Sequence, residues 1–142
     1  MDLLLISRDA LGSSVLGTLL TAVDAKKAGL DVAVLATQEA LAAFARGTFE
    51  WPRELAPQSV RFPMCDRAAK LGVPVLGSGQ GRQLDARGAV RLACEAGVTL
   101  LACPIWSALL GLDGALPEGF QPVERAALPA LLTGAKQVIG TL

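Results

Sequence analysis

The chain opens on a short apolar run, Leu3–Ser7, of the kind carried by a strand buried on both faces. From Ser13 to Ala28 the period changes. Leu16, Leu19, Leu20 and Val23 fall at i, i+3, i+4 and i+7, which is one face of a helix. Ser13 or Ser14 reads as its N-cap, and Gly29 stands where helices end. Asp31–Ala36 is a second strand. A strand, helix, strand unit of this length predicts a right-handed parallel crossover.

The alternation continues. Gln38–Arg46 reads as a helix closed by Gly47. Thr48–Pro63 holds Pro52, Pro57 and Pro63 and little periodicity, so a long irregular connection is expected there. Met64–Leu71 reads as a short helix, Val73–Leu76 as a strand and Gly77–Gly81 as a turn. Asp85 is placed to cap a helix over Ala86–Ala96, which Gly97 ends. Val98–Ala102 is the clearest later strand. Pro104–Leu110 is a short helix stopped by Gly111, and Phe120–Val123 is a short strand. Ala126–Thr133, with Pro129 near its first turn, is the last helix, and Gln137–Thr141 the last strand. Strands alternating with helices predict one α/β domain over residues 1–142. The expected architecture is a three-layer α/β/α sandwich around a mostly parallel sheet of about five strands.

Composition sharpens this picture. Apolar residues make up 52% of the 142, which suits a two-sided sheet and a surface covered by partner subunits. The formal net charge is zero and the basic residues are scattered, so no nucleic-acid surface is expected. No apolar run approaches the ~20 residues of a membrane span. Met1-Asp2-Leu3 lacks the basic region of a signal peptide, and a cytoplasmic protein is the expectation. Histidine is absent, which removes imidazole-based triads, metal sites and proton relays. The three cysteines, Cys65, Cys94 and Cys103, form no CxxC pair and no disulfide framework.

Open parallel sheets gather ligands at the carboxyl ends of their strands. Here those ends are Ser7-Arg8-Asp9, Thr37-Gln38-Glu39 and Cys103-Pro104. Cys103 directly follows a strand and precedes Pro104, a residue favoured at the first position of a helix. It would be an N-cap, where backbone N–H groups stabilise a thiolate. The competing reading is a small buried core residue. Trp106 would wall a pocket over the sulfur, contact a subunit or pack in the core. Arg8, Thr37, Gln38, Glu39, Pro104 and Trp106 are the pocket candidates. Arg8 reads equally as half of a solvated pair with Asp9, and Glu39 as a first-turn acid that suits the helix dipole. Cys94 shares the inward side of its helix with Val90 and reads as core. Cys65 reads as an incidental surface or half-buried cysteine, or as a resolving thiol if its loop folds over the site. Gly77-Ser78-Gly79-Gln80-Gly81 lacks both the lysine of a P-loop and the spacing of a dinucleotide fingerprint, so it reads as a flexible loop.

Several segments together resemble the DsrE-like (DsrE/DsrF/DsrH) sulfur-relay superfamily. Ala22–Val34 is similar to the family's first helix, glycine turn and second strand. Thr37-Gln38-Glu39-Ala40-Leu41 resembles the loop and helix start that follow. Gly97–Cys103 resembles the strand that delivers the sulfur-carrying cysteine, Gly111 fits the end of the short helix, and Ala135–Ile139 looks like the closing strand. The resemblance implies a sulfur carrier with Cys103 as its persulfide cysteine, a persulfide donor and a thiol acceptor as partners, and no metal or organic cofactor. It also implies an oligomer, a homo-oligomer by default and a hetero-oligomer as the variant. A non-catalytic small-ligand-binding or scaffolding subunit is the alternative.

Overall fold

The computed structural model describes residues 1–140, and Thr141, assigned above to the last strand, lies outside the described residues. In chain order the elements are β1 (Leu3–Ser7), α1 (Gly12–Lys27), β2 (Val32–Ala36), α2 (Gln38–Arg46), α3 (Gln58–Leu71), β3 (Val75–Leu76) and β4 (Gln83–Leu84). They continue with α4 (Ala86–Glu95), β5 (Thr99–Ala102), α5 (Pro104–Leu109), β6 (Phe120–Pro122), α6 (Leu128–Gly134) and β7 (Gln137–Gly140). A five-stranded sheet in the order β6-β5-β2-β1-β7 is parallel throughout. The expected three-layer α/β/α sandwich is the observed fold.

Side-chain alternation along the strands divides the core in two. Leu3, Leu5, Val32, Val34, Leu100 and Phe120 face one way, against Val15, Leu19 and Val23 of α1, Leu41 and Phe44 of α2 and Ala89 and Ala93 of α4. Leu4, Ala33, Leu35, Leu101 and Cys103 face the other way, against Leu128, Leu131 and Leu132 around α6. The second layer is thin, because none of the residues of α6 is itself buried. The edge strand β7 is exposed at all four positions. Lys136 ties it down by donating to Asp2 at 2.7 Å, and Asp2 also accepts the N–H of Asp31 at 2.8 Å.

The structure corrects four local expectations. Neither Ser13 nor Ser14 caps α1: the N-cap is Leu11, with no side-chain cap. The first turn is held from outside, since Gly12 donates its N–H to the Glu50 carbonyl at 2.6 Å and Glu50 donates to Ala10 at 3.1 Å. Gly12 is required there, because a Cβ would sit 2.7 Å from the Trp51 ring. Secondly, the irregular connection ends at Pro57, the N-cap of α3, and Pro63 lies inside that helix. A proline in a helix interior forfeits one backbone bond, which is why the sequence reads as a break there. Packing outweighs the loss: Cys65 and Ala68 are buried, and Arg82 stacks 4.1 Å over the Phe62 ring. Thirdly, Val73–Leu76 does not join the main sheet. Its last two residues pair antiparallel with β4 in a separate ribbon. Finally, the helix expected over Ala126–Thr133 opens as a 3-10 turn at Arg125–Ala127, and α6 proper runs from Leu128 to Gly134.

The glycine-rich loop is held through two of its carbonyls, Gln80 accepting from Arg61 at 2.8 Å and Gly79 from Arg82 at 2.6 Å. Asp85 does cap α4, accepting the Gly88 N–H at 2.9 Å.

Candidate functional site

The parallel register aligns the carboxyl ends of three strands. Ser7 is opposite Ala36, and Ala36 is opposite Ala102. Arg8, Thr37 and Cys103 are the next residues along this one edge. Thr37 donates its N–H to Ser7 at 3.0 Å, and Cys103 donates to Ala36 at 2.9 Å. Gln38 then turns the chain with φ of 54°, the one non-glycine of positive φ among the described residues. That turn brings the Ala40 N–H to the Arg8 carbonyl at 2.8 Å. A left-handed backbone at a non-glycine is costly, and such positions concentrate at ligand sites. Thr37 is buried, Gln38 half-buried, and Arg8 and Glu39 exposed. The Asp9 carboxylate accepts the Leu11 N–H at 3.0 Å.

Cys103 stands at the N-cap position of α5 and Pro104 in its first turn, as the sequence suggests, but the thiol makes no hydrogen bond to the backbone N–H groups there. Its carbonyl accepts the Ser107 N–H at 2.8 Å and closes that turn. Its side chain is not open to solvent. The residue is 5% exposed and belongs to the apolar layer of Leu4, Ala33, Leu35 and Leu101. Trp106 is half-buried and packs against both core layers, so it bridges the end of the sheet. Beyond it, Ile105, Leu109 and Leu110 leave apolar surface exposed, Leu109 at 68%.

A cleft of about 530 Å³ lies beside this corner, between α5 and the far end of β6. Of the pocket candidates only Pro104 lines it; Arg8, Thr37, Gln38, Glu39 and Trp106 do not. Its walls include Ser107, Asp113 and Arg125, which sequence reasoning missed. Ser107 carried a signal: it is the lone polar residue in the apolar segment Pro104–Leu110, four residues after Cys103. Asp113 and Arg125 lie in unpatterned connections and carried none.

Two cysteines differ from expectation. Cys65 is buried within α3, not at the surface, and belongs to neither layer around the sheet. Cys94 is exposed, not core. The inward face of α4 is Ala86, Ala89 and Ala93, whose small side chains let α4 lie close to α1, and Cys94 is one step around from it. Cys94 instead lines a second cleft, of about 350 Å³, with Phe44 and Phe120 as its apolar floor and Arg87 and Glu118 at its sides. Partial burial pushes the Cys94 thiol above its ordinary pKa, and the charges of Glu118 and Glu95 push it further. Exposure without a thiolate makes a slow nucleophile. Alkylation of Cys94 should therefore climb about tenfold per pH unit between about pH 7 and pH 9, following the thiolate fraction. Glu118→Gln should speed labelling at a fixed pH near 8 by a few-fold, since it removes one of the opposing charges. A pH-independent rate would contradict this account.

Among the described residues no helix is long and apolar enough to cross a membrane. No protein-family model matches the sequence, and no curated protein matches it. Two solved structures share the fold. The first is the ychN protein from E. coli, with a TM-score of 0.64 and 14% identity over 99% of this chain and 98% of that one. The second is a conserved protein of unknown function, BT1422 from Bacteroides thetaiotaomicron, with a TM-score of 0.56 and 10% identity over 98% of this chain and 93% of that one. The chain thus has the fold of these two proteins along nearly its whole length, and at such identities the likeness is one of fold.

Proposed function

We propose that this protein is a sulfur carrier of the DsrE-like kind, with Cys103 as the carrier thiol. The observation that supports it best is the position of Cys103: the carboxyl end of β5, on the sheet edge where Arg8 and Thr37 also emerge, and at the N-cap position of α5. The Cys103 thiolate attacks the outer sulfur of a donor persulfide. A new S–S bond forms, the donor's S–S bond breaks, and the donor leaves as a thiolate. An acceptor thiolate then attacks the outer sulfur on Cys103, which leaves as a thiolate in turn. No net oxidation occurs, and no metal or organic cofactor takes part. Burial of Cys103 requires α5 to open before either attack. A helix of six residues is marginal by itself and suited to that movement.

Donor and acceptor are proteins in this reading, and the exposed Ile105, Leu109 and Leu110 around the carrier give them apolar docking surface. The exposed Val138 and Ile139 on edge strand β7 support a homo-oligomer. One observation favours a second reading: a cysteine 5% exposed among Leu4, Leu35 and Leu101 packs like a core residue. On that reading the chain is a ligand-binding or scaffolding subunit.

Intact-protein mass spectrometry after incubation with a persulfide donor separates the two. The comparison is made in a Cys94→Ser background, because Cys94 is the exposed thiol. The carrier reading expects one reductant-sensitive sulfur on that protein and none after Cys103→Ala. No sulfur at Cys103, under conditions that load a control carrier, leaves the binding-subunit reading.

A further inference from the structure

The turn that opens α5 holds two side chains left without hydrogen-bond partners. The Cys103 sulfur takes no bond from the backbone at the start of the helix. Four residues on, the Ser107 hydroxyl oxygen is buried and has no hydrogen-bond partner among the described residues. Both residues are 5% exposed. The Ser107 N–H donates to the Cys103 carbonyl at 2.8 Å and closes the turn between them. Positions four apart share one side of a helix, which makes the two residues neighbours across that turn. Val123 agrees with this placement, since it packs against the apolar layer of Cys103 and stands with Ser107 in the cleft wall.

Folded proteins rarely leave a buried hydroxyl unsatisfied, because it gives up its water without replacement. This hydroxyl is closed to solvent, so its partner has to arrive on a side chain of the protein itself. Pro104, Ala108, Leu116, Pro122 and Val123 around it offer no hydrogen-bonding side chain, and Asp113 and Arg125 are exposed. Cys103 is the neighbour whose side chain changes its chemistry.

We infer that Ser107 donates a hydrogen bond to the outer sulfur of the Cys103 persulfide. The inference rests on the carrier reading of Cys103. Loading extends the cysteine by one S–S bond of about 2.05 Å. A persulfide is a stronger acid than its parent thiol, so the outer sulfur carries negative charge near neutral pH. Hydrogen bonds to ionised groups are roughly twice as strong as neutral ones. The hydroxyl is idle in the unloaded protein and engaged in the loaded one. It keeps its proton throughout and holds the cargo sulfur until an acceptor thiolate attacks. Cys103 and Ser107 belong to one internally bonded turn, so the hydroxyl stays beside the sulfur when α5 lifts to admit a partner.

The test is the loading equilibrium of the full chain against a buffer of glutathione persulfide and glutathione. It is read by intact-protein mass spectrometry in the Cys94→Ser background, because Cys94 is the exposed thiol. Ser107→Ala should shift the equilibrium toward the unloaded thiol about tenfold, the scale of one hydrogen bond to a charged group. Alkylation of unloaded Cys103 should keep its rate in the same variant, since the hydroxyl makes no bond to that sulfur. The melting temperature of the unloaded variant should be unchanged or higher, because the substitution deletes an unsatisfied hydroxyl. A merely structural serine would move melting, alkylation and loading together, and that pattern overturns the inference. Equal loading of the parent and Ser107→Ala overturns it too, and leaves the carrier reading standing. A parent that takes no sulfur under conditions that load a control carrier overturns the carrier reading and this inference with it.

Discussion

Leu5→Ala lowers the free energy of unfolding by about 3 kcal/mol, the middle of the range for a leucine deleted from a packed core. Leu5 is 0% exposed, and β1 is an interior strand, with Leu5 opposite Val34 of β2 on one side and Ile139 of β7 on the other. Its side chain belongs to the larger core layer, with residues of β2, β5, α1 and α4. Truncation loses transfer free energy and leaves a cavity, because hydrogen-bonded strands on both sides restrict collapse. In urea the unfolding midpoint should fall by roughly 2 M for a chain of this size. Leu109→Ala is the matched control. Leu109 is 68% exposed, and its loss should cost no more than about 0.5 kcal/mol. Equal midpoints for the two variants would contradict the assignment of the core.

Trp106→Ala raises the alkylation rate of Cys103 about tenfold or more, as expected if local opening is eased by more than ~1.4 kcal/mol. The short α5 is held to the sheet by few contacts, and Trp106 is the one side chain of that helix that packs against both core layers. Removing its ring sacrifices burial worth about 2 kcal/mol and weakens the cover over the thiol. The Leu5→Ala protein decides how the thiol becomes accessible. If Cys103 is reached by local opening of α5, Leu5→Ala leaves its rate unchanged although the whole protein is less stable. If it is reached only by global unfolding, Leu5→Ala raises the rate at least as much as Trp106→Ala. The first outcome is the one expected of a carrier thiol. The labelling is read by mass mapping in a Cys94→Ser background, so that the exposed thiol does not compete.

The segments that the sequence rendered best are those whose hydrophobic pattern and end signals agree. Leu3–Ser7 and Gln38–Arg46 appear with the bounds expected of them, the second closed by Gly47 at φ of 72°. Asp85 caps α4 with its carboxylate, and Cys103 stands at the N-cap position of α5. These are local events: a strand needs only its apolar run and its neighbours, and a cap needs only the next few residues. From them the parallel α/β class and the position of Cys103 at a strand end both followed.

What remained illegible depended on contacts distant in sequence. Pro63 reads as a helix breaker, yet α3 runs through it, held by burial of Cys65 and Ala68 and by Arg82 over Phe62. Ser13 and Ser14 offer hydroxyls, yet the start of α1 is held by the backbone of Glu50. Cys94 shares a helical spacing with Val90, yet the choice of inward face fell to the smaller Ala86, Ala89 and Ala93, which allow closer approach. The site shows the same division. The sequence by itself determined that Cys103 ends a strand, because periodicity and the following proline are properties of adjacent residues. Only the tertiary structure decided that its sulfur is buried, and that Ser107, Asp113 and Arg125 line one cleft, because burial and convergence are set by how separate elements pack and not by any spacing along the chain.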